Sequence, residues 1–330
     1  MPHFSVFHSW THSRKHVQSS TTTYRLLNEL GNGSSGIVHL AIDKKTRLCY
    51  AIKQIGKTRL ERQETTTRLF GAGPHHPRSG LGISAHPNQA TCASKRRRFN
   101  TVAPLPVPSV SKEVLVMRRL DHPNIIRLVD VVDDPKTKSL MMVMEHLDPR
   151  PLMDIAPNTI CSPYSQQQCR ILFKQILDAV EHIHCKGIIH RDIKPQNILL
   201  SSEKVLKIID FGSAIFYDDT TPLSPMLYGG TPAFMAPEVV RKPPPGYKQP
   251  KTSGDVWSVG VTLYCLVYGR LPFEKKSRID LLNSIEYDSI VHSPEIDSDL
   301  RDLLDGLLTK DPCQRLTIAE AKVHPWVTHP

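Results

Sequence analysis

His190-Arg191-Asp192-Ile193-Lys194-Pro195-Gln196-Asn197 decides the reading of this chain. The octet places a carboxylate, a cation two residues on and an amide five residues on along one short loop. Asp192 can accept the proton of a hydroxyl and orient it, Lys194 can neutralise a phosphoryl group in transit, and Asn197 can hold a divalent cation such as Mg2+. A lone aspartate is usually a solvated side chain. Three complementary groups at this spacing, behind a buried helix, are not explained by solvation. That helix is expected over 164–184, where apolar residues recur at Leu172, Ile176, Val180 and Ile183.

Working outward, Asp210-Phe211-Gly212 follows thirteen residues after Asn197, behind a strand-like run over 205–209. Asp210 is a second candidate Mg2+ ligand, bridging phosphate oxygens. Upstream, Gly31-Asn32-Gly33-Ser34-Ser35-Gly36-Ile37-Val38 fits a phosphate-cradling turn, in which absent side chains let the backbone close on the ligand. In a dinucleotide-binding unit such a motif opens a helix. Here it continues as a strand, Val38-His39-Leu40-Ala41-Ile42, which favours a loop covering ATP. Ala51-Ile52-Lys53 lies in the next strand, and Glu113, at the start of the helix from Ser111, is the carboxylate expected to hold Lys53.

The order is strand-rich, then helix-rich, an α+β pattern with two lobes. Turn residues 43–46 join strands over 37–42 and 49–53; further strands are expected over 125–132 and 140–144. The helix from Ser111 aligns Val114, Met117 and Leu120 and is expected to stop at His122-Pro123-Asn124. Residues 1–22, rich in Ser, Thr and His, read as a flexible tail; His8, His12 and His16 are read as solvated rather than as a metal site.

Of the net charge of +10, most lies in residues 57–110, where nine basic side chains face two acidic ones. Ten Gly and Pro residues in that stretch forbid a long regular element, so it reads as a basic, disordered insertion. Lys95-Arg96-Arg97-Arg98 within it admits a nuclear import signal, or binding to nucleic acid or acidic lipid, beside the plainer reading of a solvated loop. The remainder is nearly balanced, so nucleic acid is not the expected partner. Seven cysteines, an odd count without a C-x-x-C, suggest neither a disulfide framework nor a zinc site. The expected setting is cytoplasmic, with the nucleus also open, and no apolar run has the length of a membrane span.

These motifs, in this order, make the chain similar to eukaryotic protein kinases from about Tyr24 to Thr328. The resemblance implies a bilobal kinase fold over 23–328: an N-lobe over 23–147, with a small antiparallel sheet, the αC helix and the insertion, and a mainly helical C-lobe over 148–328. It implies ATP and Mg2+ as cofactors. It assigns Gly31, Gly33 and Gly36 to the phosphates, and Val38, Ala51 and Leu199 to the adenine ring. It puts Met144 behind the ring and Glu145 and Leu147 in the hinge. Lys194 and Gly230-Thr231-Pro232 point to serine/threonine specificity, with Thr231 near Asp192 and Lys194. Glu238, in Ala236-Pro237-Glu238, is expected to pair with Arg315, and Asp255 to brace the catalytic loop.

Finer segments resemble the calcium/calmodulin-dependent protein kinase kinases and their fungal and plant relatives. They are the basic insertion, Leu120-Asp121-His122-Pro123-Asn124, Val132-Asp133-Asp134-Pro135, Gly230 to Glu238, Gly260-Val261-Thr262-Leu263-Tyr264-Cys265 and His324-Pro325-Trp326-Val327. That family phosphorylates the activation loops of AMP-activated/SNF1-type and calmodulin-dependent kinases, so protein substrates, and other kinases among them, are implied. Ser35 departs from the aromatic residue often found at the loop tip, and the insertion is longer and poorer in Arg-Pro pairs than the family's. The chain ends at Pro330, directly after the domain, so calmodulin regulation is not expected of it; a monomer is. Other readings are a serine/threonine kinase with non-kinase substrates and a pseudokinase scaffold, the latter opposed by Lys53, Asp192, Asn197 and Asp210 all being present. Thr220, Thr221 and Ser224 are candidate activation-segment phosphosites whose phosphate would dock on Arg191. Asp218 and Asp219 can supply that charge instead, which predicts activity without prior phosphorylation.

Overall fold

The structure, a computed structural model, describes residues 16–33, 36–57, 111–134, 138–147, 150–217, 230–241 and 250–329. Six strands form one antiparallel sheet in the order β1-β2-β3-β4-β6-β5. They are β1 (His16–Gln18), β2 (Thr23–Gly33), β3 (Gly36–Asp43), β4 (Cys49–Gly56), β5 (Leu128–Asp134) and β6 (Ser139–Glu145). Between β4 and β5 comes the short helix α1 (Lys112–Met117). Three strand pieces follow β6, namely β7 (Arg150–Pro151), β9 (Ile198–Leu200) and β10 (Leu206–Ile208), and two more, β8 (Ile188–Ile189) and β11 (Ile215–Phe216), pair with each other. The helices of the second lobe are α2 (Gln166–Cys185), α3 (Pro237–Arg241), α4 (Ser253–Tyr268), α5 (Arg278–Tyr287), α6 (Ser298–Leu307), α7 (Ile318–Val323) and α8 (Pro325–Thr328). The expected α+β, two-lobed architecture is present. No helix among the described residues is long and apolar enough to cross a membrane.

Side chains of directly paired residues share a face of the sheet, and alternate residues of one strand do too. Lys53 pairs with Val38 and Met142, and Ala51 pairs with Met144, so these five line one face. Ile52 pairs with Val143 and turns to the other face. There it joins Tyr24, Ala41, Val132 and Met141 in a second small core, closed by Val17 of β1. Residues 16–18, expected in a flexible tail, are therefore an edge strand of the sheet: β1 pairs with β2, and the hydroxyl of Ser19, in the turn between them, donates to Asp130. Burial of Val17, 6% exposed, is the physical reason.

α1 ends at Met117, a turn earlier than expected, yet Val114, Met117 and Leu120 are all buried. The strand expected from Ile125 begins at Leu128, because Ile125 instead bridges Ile208 in parallel. α2 opens with a capping box: Ser165 accepts from the Gln168 N–H, and the Gln168 side chain accepts from the Ser165 N–H. α4 is apolar nearly all round and fully surrounded, which makes it the axis of the second lobe.

Candidate active site

β4 carries Lys53 into the space between the lobes, and α1 brings Glu113 to it. Ser111 caps α1 by accepting from the Val114 N–H at 3.3 Å, which sets where the helix starts and hence where Glu113 points. Lys53 Nζ lies 2.6 Å from Glu113 Oε1 and 3.2 Å from Asp210 Oδ1. Burial alone would lower the pKa of Lys53, but the two carboxylates outweigh it and raise the value, so the ammonium is kept charged. The residues expected to meet across the 58–110 stretch are thus in contact.

The catalytic loop is shaped by a buried carboxylate below it. Asp255, at the start of α4, accepts from the backbone N–H groups of His190 at 2.9 Å and Arg191 at 2.8 Å, and its Oδ2 lies 2.9 Å from His184 Nε2. Burial would raise the pKa of Asp255; the His184 hydrogen bond and charge, with His190 and the Arg191 N–H, bring it below the usual range. These bonds hold Arg191 at φ 68°, a left-handed conformation that costs an ordinary residue about 1–3 kcal/mol. The bracing role expected of Asp255 is what the bonds show.

Asp192 sits at the centre of a cage. Its Oδ2 accepts from Lys194 Nζ at 2.9 Å and from Asn197 Nδ2 at 2.8 Å, and its Oδ1 accepts from the Thr231 hydroxyl at 2.8 Å. Lys194 Nζ also donates to Thr231 Oγ1 at 2.6 Å. Burial would raise the Asp192 pKa, but Lys194, Thr231 and Asn197 bring it below the ordinary carboxylate range. The group is therefore an ionised acceptor at neutral pH. Gly230, at φ 118°, makes this approach possible, because a Cβ there would run into the Arg191 carbonyl.

Asn197 spends its Nδ2 on Asp192, both on its carbonyl and its carboxylate at 2.8 Å, which leaves Oδ1 as an acceptor. Asp210 stands at φ 57° and its side chain is 35% exposed. An amide oxygen and a carboxylate are hard oxygen donors that suit Mg2+. Among the described residues there is no group of three or more His, Cys, Asp or Glu side chains that could hold a metal ion; Mg2+ bound by one or two protein oxygens keeps waters or takes phosphate oxygens for the rest of its shell.

Val38, Ala51, Met144, Leu147 and Leu199 are half-buried, the state of apolar side chains lining an open cleft. Gly31 and Gly33 end β2 and Gly36 opens β3; Ser34 and Ser35 lie outside the described residues. So do Thr220, Thr221, Ser224, Asp218, Asp219, His8, His12 and the insertion from residue 58. Lys57, counted with that insertion, is engaged in the sheet: it pairs with Asp133 at 2.6 Å. Glu238 and Arg315 form the expected ion pair twice over, at 2.6 and 2.8 Å. Two contributors escaped the sequence. His190 packs edge-on against Phe211 at 4.8 Å and reaches the Ile209 carbonyl at 3.2 Å, tying the catalytic loop to the Asp210 segment. Lys207 pairs with Glu145 at 2.8 Å. Nothing in local spacing distinguishes either from a solvated side chain.

An ionised acceptor on one lobe, facing a lysine held by a carboxylate on the other, is the equipment of a phosphotransferase. The chain belongs to the protein kinase family, whose domain description matches residues 84–327. That match begins beyond Lys53, but relatives align across the glycine-rich strands as well. Calcium/calmodulin-dependent protein kinase kinase of Caenorhabditis elegans is 35% identical over 309 residues, which are 92% of this chain and 52% of that protein. Serine/threonine-protein kinase ppk34 of Schizosaccharomyces pombe is 36% identical over 308 residues, 92% of this chain and 83% of its own length. Serine/threonine-protein kinase GRIK2 of Arabidopsis thaliana is 33% identical over 314 residues, covering 70% of that protein. This chain thus spans about half of the worm protein and most of the yeast one. The relatives place it among serine/threonine protein kinases.

Proposed function

We propose that this chain transfers the γ-phosphate of Mg-ATP to serine or threonine hydroxyls, and that its substrates are the activation loops of other protein kinases. The observation that carries the chemistry is the Asp192 cage, an ionised carboxylate oriented by Lys194, Asn197 and Thr231. Bound Mg-ATP would supply the phosphoryl group and the cation charge that offsets the negative charge of its phosphates. Lys53, steadied by Glu113, neutralises the α- and β-phosphates, and the Gly31–Gly36 turn closes over them. Val38, Ala51, Met144 and Leu199 enclose the adenine ring, and the backbone from Glu145 to Leu147 offers it hydrogen bonds. Asp210 and Asn197 would hold the metal ion. Asp192 orients the substrate hydroxyl and takes its proton, while Lys194 balances the charge of the group in transfer and Thr231 holds both in place.

The choice of substrate rests on the resemblance and on the worm relative's name. The test is phosphate transfer from Mg-ATP to a catalytically dead kinase domain of the AMP-activated type, with Asp192→Asn as the control and a basic peptide for comparison. Selective labelling of the activation-loop threonine is the expected result. Labelling of the peptide alone would leave a serine/threonine kinase of other proteins and end the substrate proposal.

A further inference from the structure

The stretch between β7 and α2 starts against the catalytic loop and ends on α4. Residues 152–165 form neither helix nor strand, yet bonds hold them along their length. At the start, the Leu152 N–H donates to the Ile198 carbonyl at 2.7 Å, and Gln196 Nε2 donates to the Ile155 carbonyl. These two contacts straddle Asn197. In the middle, the Thr159 hydroxyl accepts from the Ala156 N–H at 2.8 Å and donates to the Ala156 carbonyl at 2.6 Å. The Asn158 N–H donates to Glu274 Oε1 at 3.1 Å, with Asn158 at φ 61°. At the far end, the Cys161 N–H donates to the Gly269 carbonyl at 2.8 Å and the Tyr164 N–H to the Leu266 carbonyl at 2.9 Å. The Tyr164 hydroxyl then donates to the Leu152 carbonyl at 2.6 Å, which closes the stretch on itself.

Leu152, Met153 and Ile155 are buried, whereas Ala156, Pro157, Ile160 and Pro163 are exposed. Ile160 is 86% exposed, more than any other large apolar side chain among the described residues. A single exposed apolar side chain is ordinary on a protein surface. Ile160 differs in its support. Bonds at Thr159 and Cys161 fix the backbone on either side of it, so the cost of ordering this loop falls on folding and not on binding. Asp154 is the only charged side chain from 151 to 165, so the face offers apolar contact rather than charge.

Position limits what this face can meet. Five residues lead from Ile155, bonded to the catalytic loop, to Ile160. Fully extended they would span about 18 Å. A folded domain is about 30 Å across. A domain that brings a hydroxyl to Asp192 is therefore wide enough to reach Ile160. A short basic peptide has no apolar surface to place there.

We propose that Ile160, with the exposed apolar residues beside it, is a docking face for the folded protein substrate, a kinase domain that sets an apolar patch of its surface against it. This deepens the substrate reading above and rests on it. The test compares transfer from Mg-ATP to a catalytically dead kinase domain of the AMP-activated type with transfer to a basic peptide. Wild type, Ile160→Asp and Ile160→Leu are measured as whole chains, with thermal midpoints and light scattering for each. Ile160→Asp changes an exposed side chain and should keep the wild-type midpoint. Its KM for the kinase domain is expected to rise about tenfold, the effect of one apolar side chain losing its place at an interface. Its kcat should move by less than about twofold, and transfer to the peptide should not change. Ile160→Leu keeps the apolar contact and should behave as wild type. An unchanged KM for the kinase domain in a folded Ile160→Asp overturns the proposal. So does an equal loss on domain and peptide, which would mark a disturbed catalytic loop. A wild-type dimer that Ile160→Asp splits without any change in transfer would give the face to a second copy of this chain and end the proposal. Wild-type labelling of the peptide alone removes the substrate reading and this one together. Selective labelling of the domain with Ile160→Asp indifferent removes this one only.

Discussion

Asp192 gains its acceptor character from three donors rather than from exposure. Lys194, Asn197 and Thr231 hold it ionised at a place where burial would otherwise favour the neutral acid. Replacing it with asparagine keeps the shape and removes the charge and the proton acceptor. Asp192→Asn should therefore lower kcat by about 10²- to 10⁴-fold, the range associated with a positioned general base. The thermal midpoint should stay close to wild type, and single-turnover transfer from Mg-ATP is the measurement. Loss of fold in place of loss of rate would make Asp192 a structural residue. The left-handed backbone of Arg191 and Asp210 belongs to the same scale. Arg191 adjoins Asp192 and Asp210 is itself the carboxylate that meets Lys53, and the bonds from Asp255 are what hold the first of them in place.

Among the elements, the turn between α1 and β5 shows how two helical pieces are locked. His122 and His182 lie ring to ring at 5.2 Å. His182 Nε2 accepts from the Asp121 N–H at 3.4 Å, and His122 Nδ1 accepts from the Asn124 N–H at 3.1 Å. Burial, then His122 and Lys186, lower the His182 pKa from 6.5 to about 4, with Asp121 opposing. The unfolded chain then binds the proton more tightly than the folded one. The associated stability is complete above pH 6.5 and is lost as pH falls from there toward about 4. The thermal midpoint of the wild type should fall more steeply over that window than that of His182→Gln, which keeps an acceptor but does not titrate. Equal slopes would count against the locked pair. Gly269, the cap of α4, is a second element-scale case. Its φ of 66° and the Cys161 carbonyl lying where a Cβ would go leave no room for a side chain. Gly269→Ala should cost more than about 1 kcal/mol in a denaturant titration.

At the scale of the whole molecule, the second lobe is held together by an ion pair inside it. Arg315 and Glu238 have side chains 0% and 5% exposed, joined by two bonds, and Arg315 Nη1 also donates to the Ser253 carbonyl at 2.8 Å. Arg315→Leu would strand the Glu238 carboxylate in the interior. The expected loss is about 3–5 kcal/mol, seen as a shift of the denaturation midpoint, because an unpaired buried charge costs more than the pair contributes. The first lobe depends instead on covering both faces of one sheet. The face bearing Lys53 turns to the other lobe, and the face bearing Ile52 is closed by Val17.

Much of this protein is determined by its chain alone. The octet from His190 to Asn197, Asp210-Phe211-Gly212, the glycine turn and Lys53 stand out as a proposed phosphate-handling set because such chemistry calls for those residue types at short spacings, and local spacing survives without any knowledge of the fold. The strands over 36–43 and 49–56 and the helix over 166–185 are legible because apolar periodicity repeats over several turns or alternations. The partnership of Lys53 with Glu113 could be anticipated from the resemblance, yet sixty residues separate the two, and only the folded sheet and α1 bring them to 2.6 Å. β1 was illegible, since one buried valine among three residues forms no pattern. The Lys207–Glu145 contact was illegible for the same reason: an ion pair between elements sixty-two residues apart leaves no mark on either stretch. Periodicity records which face an element buries, whereas the meeting of two distant charges is decided by how the lobes pack.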